Sequence, residues 1–280
     1  MHRFDTPTPP RLTIEFRAGT IAIATDDVAE TTIDLQPRHD TKAQRDVVAA
    51  TTIEQRGNEI VVLVPARLGN LLGRSSDLAL TVTAPHGTAL VISSGSADVV
   101  AAGHYGTTTV STGSGDVDLE EVTDSARLRS GSGRLRIASV AKDANVVTGS
   151  GDIEVGVLAG SGTVQSGSGD VRVKTGGAAL EVKTGSGDVS IGVAPSDVRV
   201  RTGSGDIAID AVTSGDVRVR AASGDIHAGV CAGTAAWLDV RTVSGRVSSD
   251  LESSGAPADD EQRAHLRLET ASGDIELVRV

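Results

Sequence analysis

The sequence is poor in aromatic residues and in cysteine, and both shortages limit what the chain can be. Its 280 residues include two Phe, one Tyr, one Trp and one Cys. A hydrophobic core must therefore be built from Val, Ile, Leu and Ala. The single cysteine, Cys231, excludes an intramolecular disulfide, so cysteine usage gives no sign of an oxidising compartment.

Long apolar runs are absent as well. No stretch approaches the roughly 18 apolar residues that span a bilayer, and residues 1–12 lack the apolar segment of a secretory signal. We therefore expect a soluble, cytoplasmic protein. The formal net charge of −11 favours solubility and argues against nucleic acid as a general partner.

A Gly-Ser-Gly-Asp phrase, preceded by Ser or Thr, returns every 18 residues through the middle of the chain. A strict period of this size is typical of a stacked repeat architecture. A residue that recurs in every repeat is explained by stacking before it is explained by a site. The last position of the phrase is occupied by Asp116, Arg134, Asp152, Asp170, Asp188 and Asp206.

Apolar and polar residues alternate on both sides of this phrase, which indicates half-buried strands. With about 4.8 Å between neighbouring strands, we predict an all-β fold: a single-chain β-solenoid with parallel, in-register coils of 18 residues. The glycines are expected to form bent corners where adjacent backbones approach closely. The aspartates are expected to accept corner N–H groups, and the Ser and Thr hydroxyls to form a hydrogen-bonded ladder.

The chain divides by its periodicity into three parts. We expect a disordered segment at residues 1–10, an irregular β cap at 11–92, and a regular solenoid at 93–280 with a loop insertion at about 248–264. After Asp206 the phrase recurs after 19, 21 and 28 residues, at Asp225, Arg246 and Asp274. We expect these last coils to stack in chain order.

Three features together resemble a known bacterial family. The pattern Gly19-Thr-Ile-Ala-Ile precedes a segment containing Ala84-Pro85-His86-Gly87, and repeated Thr-Gly-Ser-Gly-Asp-Val/Ile units follow. Over residues 11–280 the chain resembles the β-strand-repeat family DUF4097, catalogued as "putative adhesin". The resemblance implies a β-solenoid and no established catalytic residues.

Carboxylates together with glycines can indicate a metal site, but their arrangement in this chain argues against one. The Gly-Ser-Gly-Asp phrase occurs once per coil, so a calcium ion would have ligands on one side only. Asp116, Asp118 and Glu120 could form a metal patch on one strand. The next coil brings Arg134 and Arg136 beside them, which favours a ladder of ion pairs.

Catalytic motifs are equally weak. Cys231, between Gly229 and Gly233, has the spacing of a nucleophile elbow, yet it lies in a variable return rather than between a strand and a helix. The six histidines form no pairwise motif. We predict no catalytic, cofactor or metal site and no enzyme activity, and an enzyme site in the variable returns near His227 and Cys231 is the least favoured alternative.

A basic stripe is the strongest candidate surface. In-register stacking would place its cations about 5 Å apart along the solenoid, where they could bind an anionic polymer, a membrane surface or an acidic protein. The competing interpretation is a solvated face that protects the sheet from aggregation. The stripe consists of Lys183, Arg199, Arg201, Arg218, Arg220 and Arg241.

These observations favour a non-enzymatic scaffold or binding protein. Because coil ends are sheet edges, a self-assembling protein that forms end-to-end dimers or filaments is the first alternative. Only Tyr105 and Trp237 could act as large sugar-stacking platforms, which disfavours carbohydrate binding.

Overall fold

The computed structural model describes residues 1–65, 77–251 and 262–280. It confirms an all-β solenoid with parallel, in-register strands. The chain forms two compact units, Met1–Ala141 and Lys142–Val280. The division expected at residue 92 lies inside the first unit, because one long strand runs from Thr88 to Thr112.

The first unit begins with an irregular arrangement of strands. In chain order it contains β1 (His2–Asp5), β2 (Arg11–Asp26), β3 (Glu30–Pro37), α1 (Lys42–Ala49), β4 (Thr52–Arg56), β5 (Glu59–Leu63), β6 (Asp77–Pro85), β7 (Thr88–Thr112), β8 (Val117–Val122), β9 (Ala126–Ser130) and β10 (Leu135–Val140). Strand β2 pairs in parallel with β7 on one side and with β5 and β6 on the other. Strands β1 and β3, β3 and β6, and β4 and β5 pair antiparallel. The rest of the unit winds regularly, since β7 pairs in parallel with β8 and β9, and β8 with β10.

The expectation of disorder at residues 1–10 is wrong for β1. This strand pairs with β3 in the register His2↔Ile33. Just beyond it, the hydroxyls of Thr6 and Thr31 are hydrogen-bonded at 3.0 Å in a buried position. The physical reason is that the edge of β3 offers backbone hydrogen-bonding groups that the N-terminal residues satisfy.

The second unit is built from two rows of parallel strands. It contains β11 (Ala144–Thr148), β12 (Ile153–Leu158), β13 (Ser161–Ser166), β14 (Val171–Thr175), β15 (Ala179–Ser186), β16 (Val189–Ala194), β17 (Asp197–Ser204), β18 (Ile207–Val212), β19 (Gly215–Ser223), β20 (Ile226–Val230), β21 (Thr234–Ser244), β22 (Val247–Ser249), β23 (Gln262–Ser272) and β24 (Ile275–Arg279). Odd-numbered strands from β11 to β19 pair in succession, as do even-numbered strands from β12 to β20. Val171, Val189 and Ile207 are therefore direct neighbours in one buried row.

The corners between the two rows hold the backbones of neighbouring coils close together. A Cβ atom at Gly169 would lie 2.0 Å from the carbonyl oxygen of Gly151, so only glycine fits there. Each corner aspartate accepts a hydrogen bond from the next coil. The backbone N–H of Asp188 donates to Asp170 at 3.1 Å, and that of Asp206 donates to Asp188 at 2.9 Å. The predicted role of the aspartates is confirmed.

The predicted hydroxyl ladder is only partly right. Thr148 accepts a hydrogen bond from the backbone N–H three residues later at 3.1 Å, and Ser166 does the same at 2.8 Å. The buried hydroxyls of Thr184 and Thr202 have no hydrogen-bond partner. From Thr184 onward the strand continues through the corner, and the glycine N–H groups bond to backbone oxygens of the next coil instead.

The last coils do not stack in chain order, which corrects our expectation. Strand β23 lies between β19 and β21, and β24 lies between β20 and β22. The corner hydrogen bonds follow the same order. The backbone N–H of Asp274 donates to the Asp225 carboxylate at 2.7 Å, and the backbone N–H of Arg246 donates to the Asp274 carboxylate at 2.7 Å. The chain skips one coil position, forms the terminal coil, and returns to fill the gap.

Burial explains this order. Inward-facing Leu266 and Leu268 of β23 are 1% and 0% exposed, whereas Leu238 of the terminal strand is 36% exposed. At the paired positions β21 has Leu238 and Val240, so enclosing β23 instead of β21 buries Leu268 in place of a valine and removes slightly more apolar surface from water. Of the loop predicted at 248–264, residues 252–261 lie outside the described residues, and β22 and β23 occupy parts of its two ends.

Candidate anion-binding site

Five arginines line one outward surface of the second unit. Strand alternation turns Val198 and Val200 inward and the flanking arginines of β17 outward. The strand register then aligns arginines on β17, β19 and β23, about 4.8 Å apart between neighbouring strands. Together with Val200 they border a surface cleft of about 180 Å³. We call these residues the arginine cleft: Arg199, Arg201, Arg218, Arg220 and Arg267.

Three members of the arginine cleft are held by carboxylates. Each ion pair joins the guanidinium to an aspartate or glutamate on the same or a neighbouring strand, and all of these groups are partly exposed. The pairs are Arg218–Asp216 at 2.5 Å, Arg220–Glu269 at 2.9 Å and Arg267–Asp239 at 3.1 Å. These contacts hold the three guanidinium groups in the lining of the cleft.

The other two members have no such partner. Within the described part of the chain, Arg199 and Arg201 make no ion pair within 4.0 Å. Their charge is felt by Glu181 on β15. A hydrogen bond from Lys183 is the largest cause that holds the pKa of Glu181 below its usual range, and the charges of Lys183, Arg201 and Arg199 add to it. The surface is therefore locally positive although the chain is acidic overall.

The structure brings together four of the six residues predicted for the basic stripe: Arg199, Arg201, Arg218 and Arg220. Lys183 lies beside Arg201 on the next strand, where it bonds Glu181 at 2.8 Å. Arg241 does not continue the stripe, which corrects the prediction. Because β23 is inserted, Glu269 separates Arg220 from Arg241.

Arg267 was missing from the predicted stripe. A signal for it exists in the sequence, because aligning the Ser-Gly-Asp phrase that ends at Asp274 with the one that ends at Asp225 places Arg267 level with Arg218. The structure has this same register. The alignment does not show that these two coils are neighbours.

Of the carboxylates that could form a metal patch, Asp118 makes the predicted ion pair with the next coil, whereas Asp116 and Glu120 accept backbone N–H groups. Arg136 and Asp118 are paired at 3.2 Å, and the backbone N–H of Arg134 donates to Asp116 at 2.8 Å. Glu120 accepts a hydrogen bond from a backbone N–H. Across the described residues, no group of three or more His, Cys, Asp or Glu side chains could hold a metal ion.

The histidines and Cys231 do not converge on a reactive centre. His227 pairs with Glu276 at 3.2 Å, while Cys231 is half-buried at the end of the same strand region. The structure does join His86 and His104, which the sequence did not suggest, with ring centroids 4.9 Å apart. Thr25 links them: its hydroxyl lies 3.0 Å from His86 Nδ1 and accepts the backbone N–H of His104 at 2.7 Å. This contact ties two chain segments together.

Tyr105 follows this histidine pair and is fully buried. Its hydroxyl donates to the backbone oxygens of Ile23 and Ala102 at 2.9 and 2.8 Å. Burial raises the pKa of Tyr105 well above its usual range, and the nearby charge of Glu120 raises it further. The phenol therefore acts as a hydrogen-bond donor that fixes the core of the first unit.

The family model for Toastrack DUF4097 matches residues 10–278. The chain belongs to the Toastrack DUF4097 family. This confirms the resemblance seen in the repeat phrase. Among curated proteins, none matches this Toastrack chain. In the described residues, no helix of this family member has the length and apolar character to cross a membrane.

The chain is also similar to several solved structures. A "putative adhesin" from Bacteroides fragilis has a TM-score of 0.47 and 12% identity, covering 100% of this chain and 95% of that one. A "putative lipid binding protein" from Parabacteroides distasonis has a TM-score of 0.41 and 13% identity, covering 100% and 96%. A "putative adhesin" from Parabacteroides merdae has a TM-score of 0.43 and 11% identity, covering 99% and 94%. At these values the similarities assign no function to the Toastrack chain.

Proposed function

We propose that this Toastrack chain is a non-enzymatic binding scaffold whose arginine cleft binds a phosphate-bearing polyanion. The observation that carries the proposal is the pair Arg199 and Arg201, which project outward, make no ion pair within 4.0 Å among the described residues, and stand beside three more arginines. Guanidinium groups bind phosphate oxygens through two parallel hydrogen bonds, which makes arginine the suitable residue for such a ligand.

The like-charged row supports a ligand more than a purely protective face. Arg199, Arg218 and Arg267 are direct neighbours on three adjacent strands. Like charges placed opposite each other destabilise a sheet. The outward row on β8 and β10 avoids this, since Asp118 faces Arg136, and the corner aspartates that do stack accept backbone N–H groups from the next coil. Asp216 and Asp239 offset part of this repulsion through their ion pairs with Arg218 and Arg267, and a bound anion would offset more of it.

The shape of the surface favours an extended ligand. The cleft measures about 180 Å³, whereas pockets that enclose a small molecule usually measure about 300–1,000 Å³. An outward, shallow row of cations spaced by the strands fits a chain of anionic groups lying along it. Binding of this kind is dominated by charge and should weaken strongly as salt is added.

The test compares two matched double variants by isothermal titration with inorganic polyphosphate. Arg199→Glu/Arg201→Glu should lower the affinity by about tenfold or more, and should reduce the slope of log K against log salt by about two. Arg127→Glu/Arg129→Glu is the control, because it changes an exposed Arg-x-Arg pair with the same spacing on β9. The control should bind like the parent.

A second readout separates local charge from misfolding. In Arg199→Glu/Arg201→Glu the pKa of Glu181, followed by carboxyl NMR, should rise toward its ordinary value because two causes of its lowering are removed. Equal polyphosphate affinity in the parent and in this variant would refute the proposal. Binding to phosphatidylserine vesicles without binding to polyphosphate would replace the polyanion by a membrane surface.

A further inference from the structure

Strand β21 leaves one edge of the second unit open. In the described part of the chain it pairs only with β23. It has 11 residues, whereas the edge strands β1 and β4 of the first unit have 4 and 5. In an edge strand the peptide groups on the free side have no partner in the sheet. β21 therefore presents a long row of backbone donors and acceptors.

This edge also exposes apolar side chains and lacks two of the usual protections. On its outward face, Trp237 and Val243 are 69% and 89% exposed. Leu238 faces inward but is still 36% exposed because nothing described covers it on the free side. The strand contains no lysine and no proline, the residues that commonly prevent edge-to-edge pairing.

We propose that β21 pairs antiparallel with β21 of a second copy, about a two-fold axis at Val240. In this register Asp239 faces Arg241 of the partner subunit, and Trp237 faces Val243 of the partner subunit. The two-fold axis repeats both pairs. Opposite charges and aromatic–β-branched pairs across strands are the combinations that stabilise an antiparallel sheet. The inference does not depend on the arginine cleft.

The charge pattern of the strand selects this register. A shift by one residue would set inward residues against outward ones. An axis at Asp239 would place that carboxylate against its own copy, and an axis at Arg241 would do the same with two guanidinium groups. Both side chains lie on the accessible face, where they pair within the strand at 3.2 Å. Only the axis at Val240 converts them into two intersubunit ion pairs, which is why a second copy fits this edge.

The first test measures association by sedimentation velocity over a wide concentration range. The parent should form dimers, and the emission of Trp237, the single tryptophan of the chain, should shift to shorter wavelength as dimers form. Val243→Lys should abolish dimers without affecting the monomer fold. Val157→Lys is the control, because Val157 is an exposed valine, 44% accessible, on β12. A parent that is monomeric throughout, or a dimer that Val243→Lys leaves intact, would overturn the proposal.

The second test fixes the register by cysteine cross-linking in a Cys231→Ser background. A mixture of Trp237→Cys and Val243→Cys chains should give a disulfide-linked dimer under mild oxidation. Each variant alone should give none, because in this register residue 243 is far from its own copy. A cross-link formed by Val243→Cys alone would show a different pairing and would contradict the axis at Val240.

Discussion

Thr148 and Thr184 occupy equivalent corner positions, yet their hydroxyls are in opposite situations. Thr148 accepts the backbone N–H of Gly151 at 3.1 Å. The hydroxyl of Thr184 is buried without a partner, and the N–H of Gly187 bonds instead to the backbone oxygen of Ser204 at 3.0 Å. The same residue type in the same repeat position therefore stabilises one coil and destabilises another.

Replacing each threonine by the isosteric valine should separate the two cases. Thr148→Val leaves a buried N–H unsatisfied and should lower the free energy of unfolding by about 1–3 kcal/mol. Thr184→Val removes an unsatisfied buried hydroxyl and should leave the free energy unchanged or raise it. Urea unfolding of both variants measures the difference. Equal losses of unfolding free energy in the two variants would mean that the two threonine hydroxyls make equivalent hydrogen bonds.

At the scale of single residues, the sequence was informative where the same contact recurs from coil to coil. The aspartates of the phrase predicted hydrogen bonds to corner N–H groups, and Asp170 and Asp188 make them. The hydroxyl ladder failed at Thr184 because the strand there runs on through the corner. That backbone change depends on the neighbouring coil, so the local phrase Thr-Gly-Ser-Gly-Asp does not reveal it.

Among the elements, the position of β23 matters most. Leu266 of β23 and Leu238 of β21 are directly paired, but Leu266 is 1% exposed and Leu238 is 36% exposed. The exposed fractions of the two leucines therefore show which of the two strands is interior. If the coils stacked in chain order, β21 would be enclosed and β23 would be terminal.

Alanine at these two positions is a matched test of the coil order. Leu266→Ala should cost about 2–5 kcal/mol of folding free energy, as a cavity in the core does. Leu238→Ala should cost clearly less, since part of that side chain is already in water. Thermal or urea unfolding of both variants is sufficient. A larger loss of folding free energy for Leu238→Ala than for Leu266→Ala would mean that the coils stack in chain order.

The sequence predicted the strands and their register but not this exchange of coils. Periodicity aligns the phrases at Arg246 and Asp274 equally well with the one at Asp225, so it is indifferent to which of them lies next to it. The order is visible in the burial of Leu266 and Leu268, which is a property of the packed unit. For the same reason Arg241 was placed in the stripe and Arg267 was not.

At the scale of the whole molecule, the amino-acid composition gives no sign of the basic surface that the fold creates. A net charge of −11 suggests a protein that avoids anions. In-register winding gathers arginines that are 68 residues apart in the chain, from Arg199 to Arg267, into one surface. Aspartates are gathered in the same way at the corners. We therefore expect charge segregation by coil stacking, more than the net charge, to govern what the protein binds.

The central claim is that the arginine cleft is where an anion binds. An amide-resolved NMR titration with inorganic polyphosphate tests it most directly, because it locates binding without any substitution. The account predicts the largest chemical-shift changes on β17, β19 and β23, at and next to Arg199, Arg218 and Arg267. Changes centred on another part of the chain, or saturating binding with no change on these three strands, would contradict it.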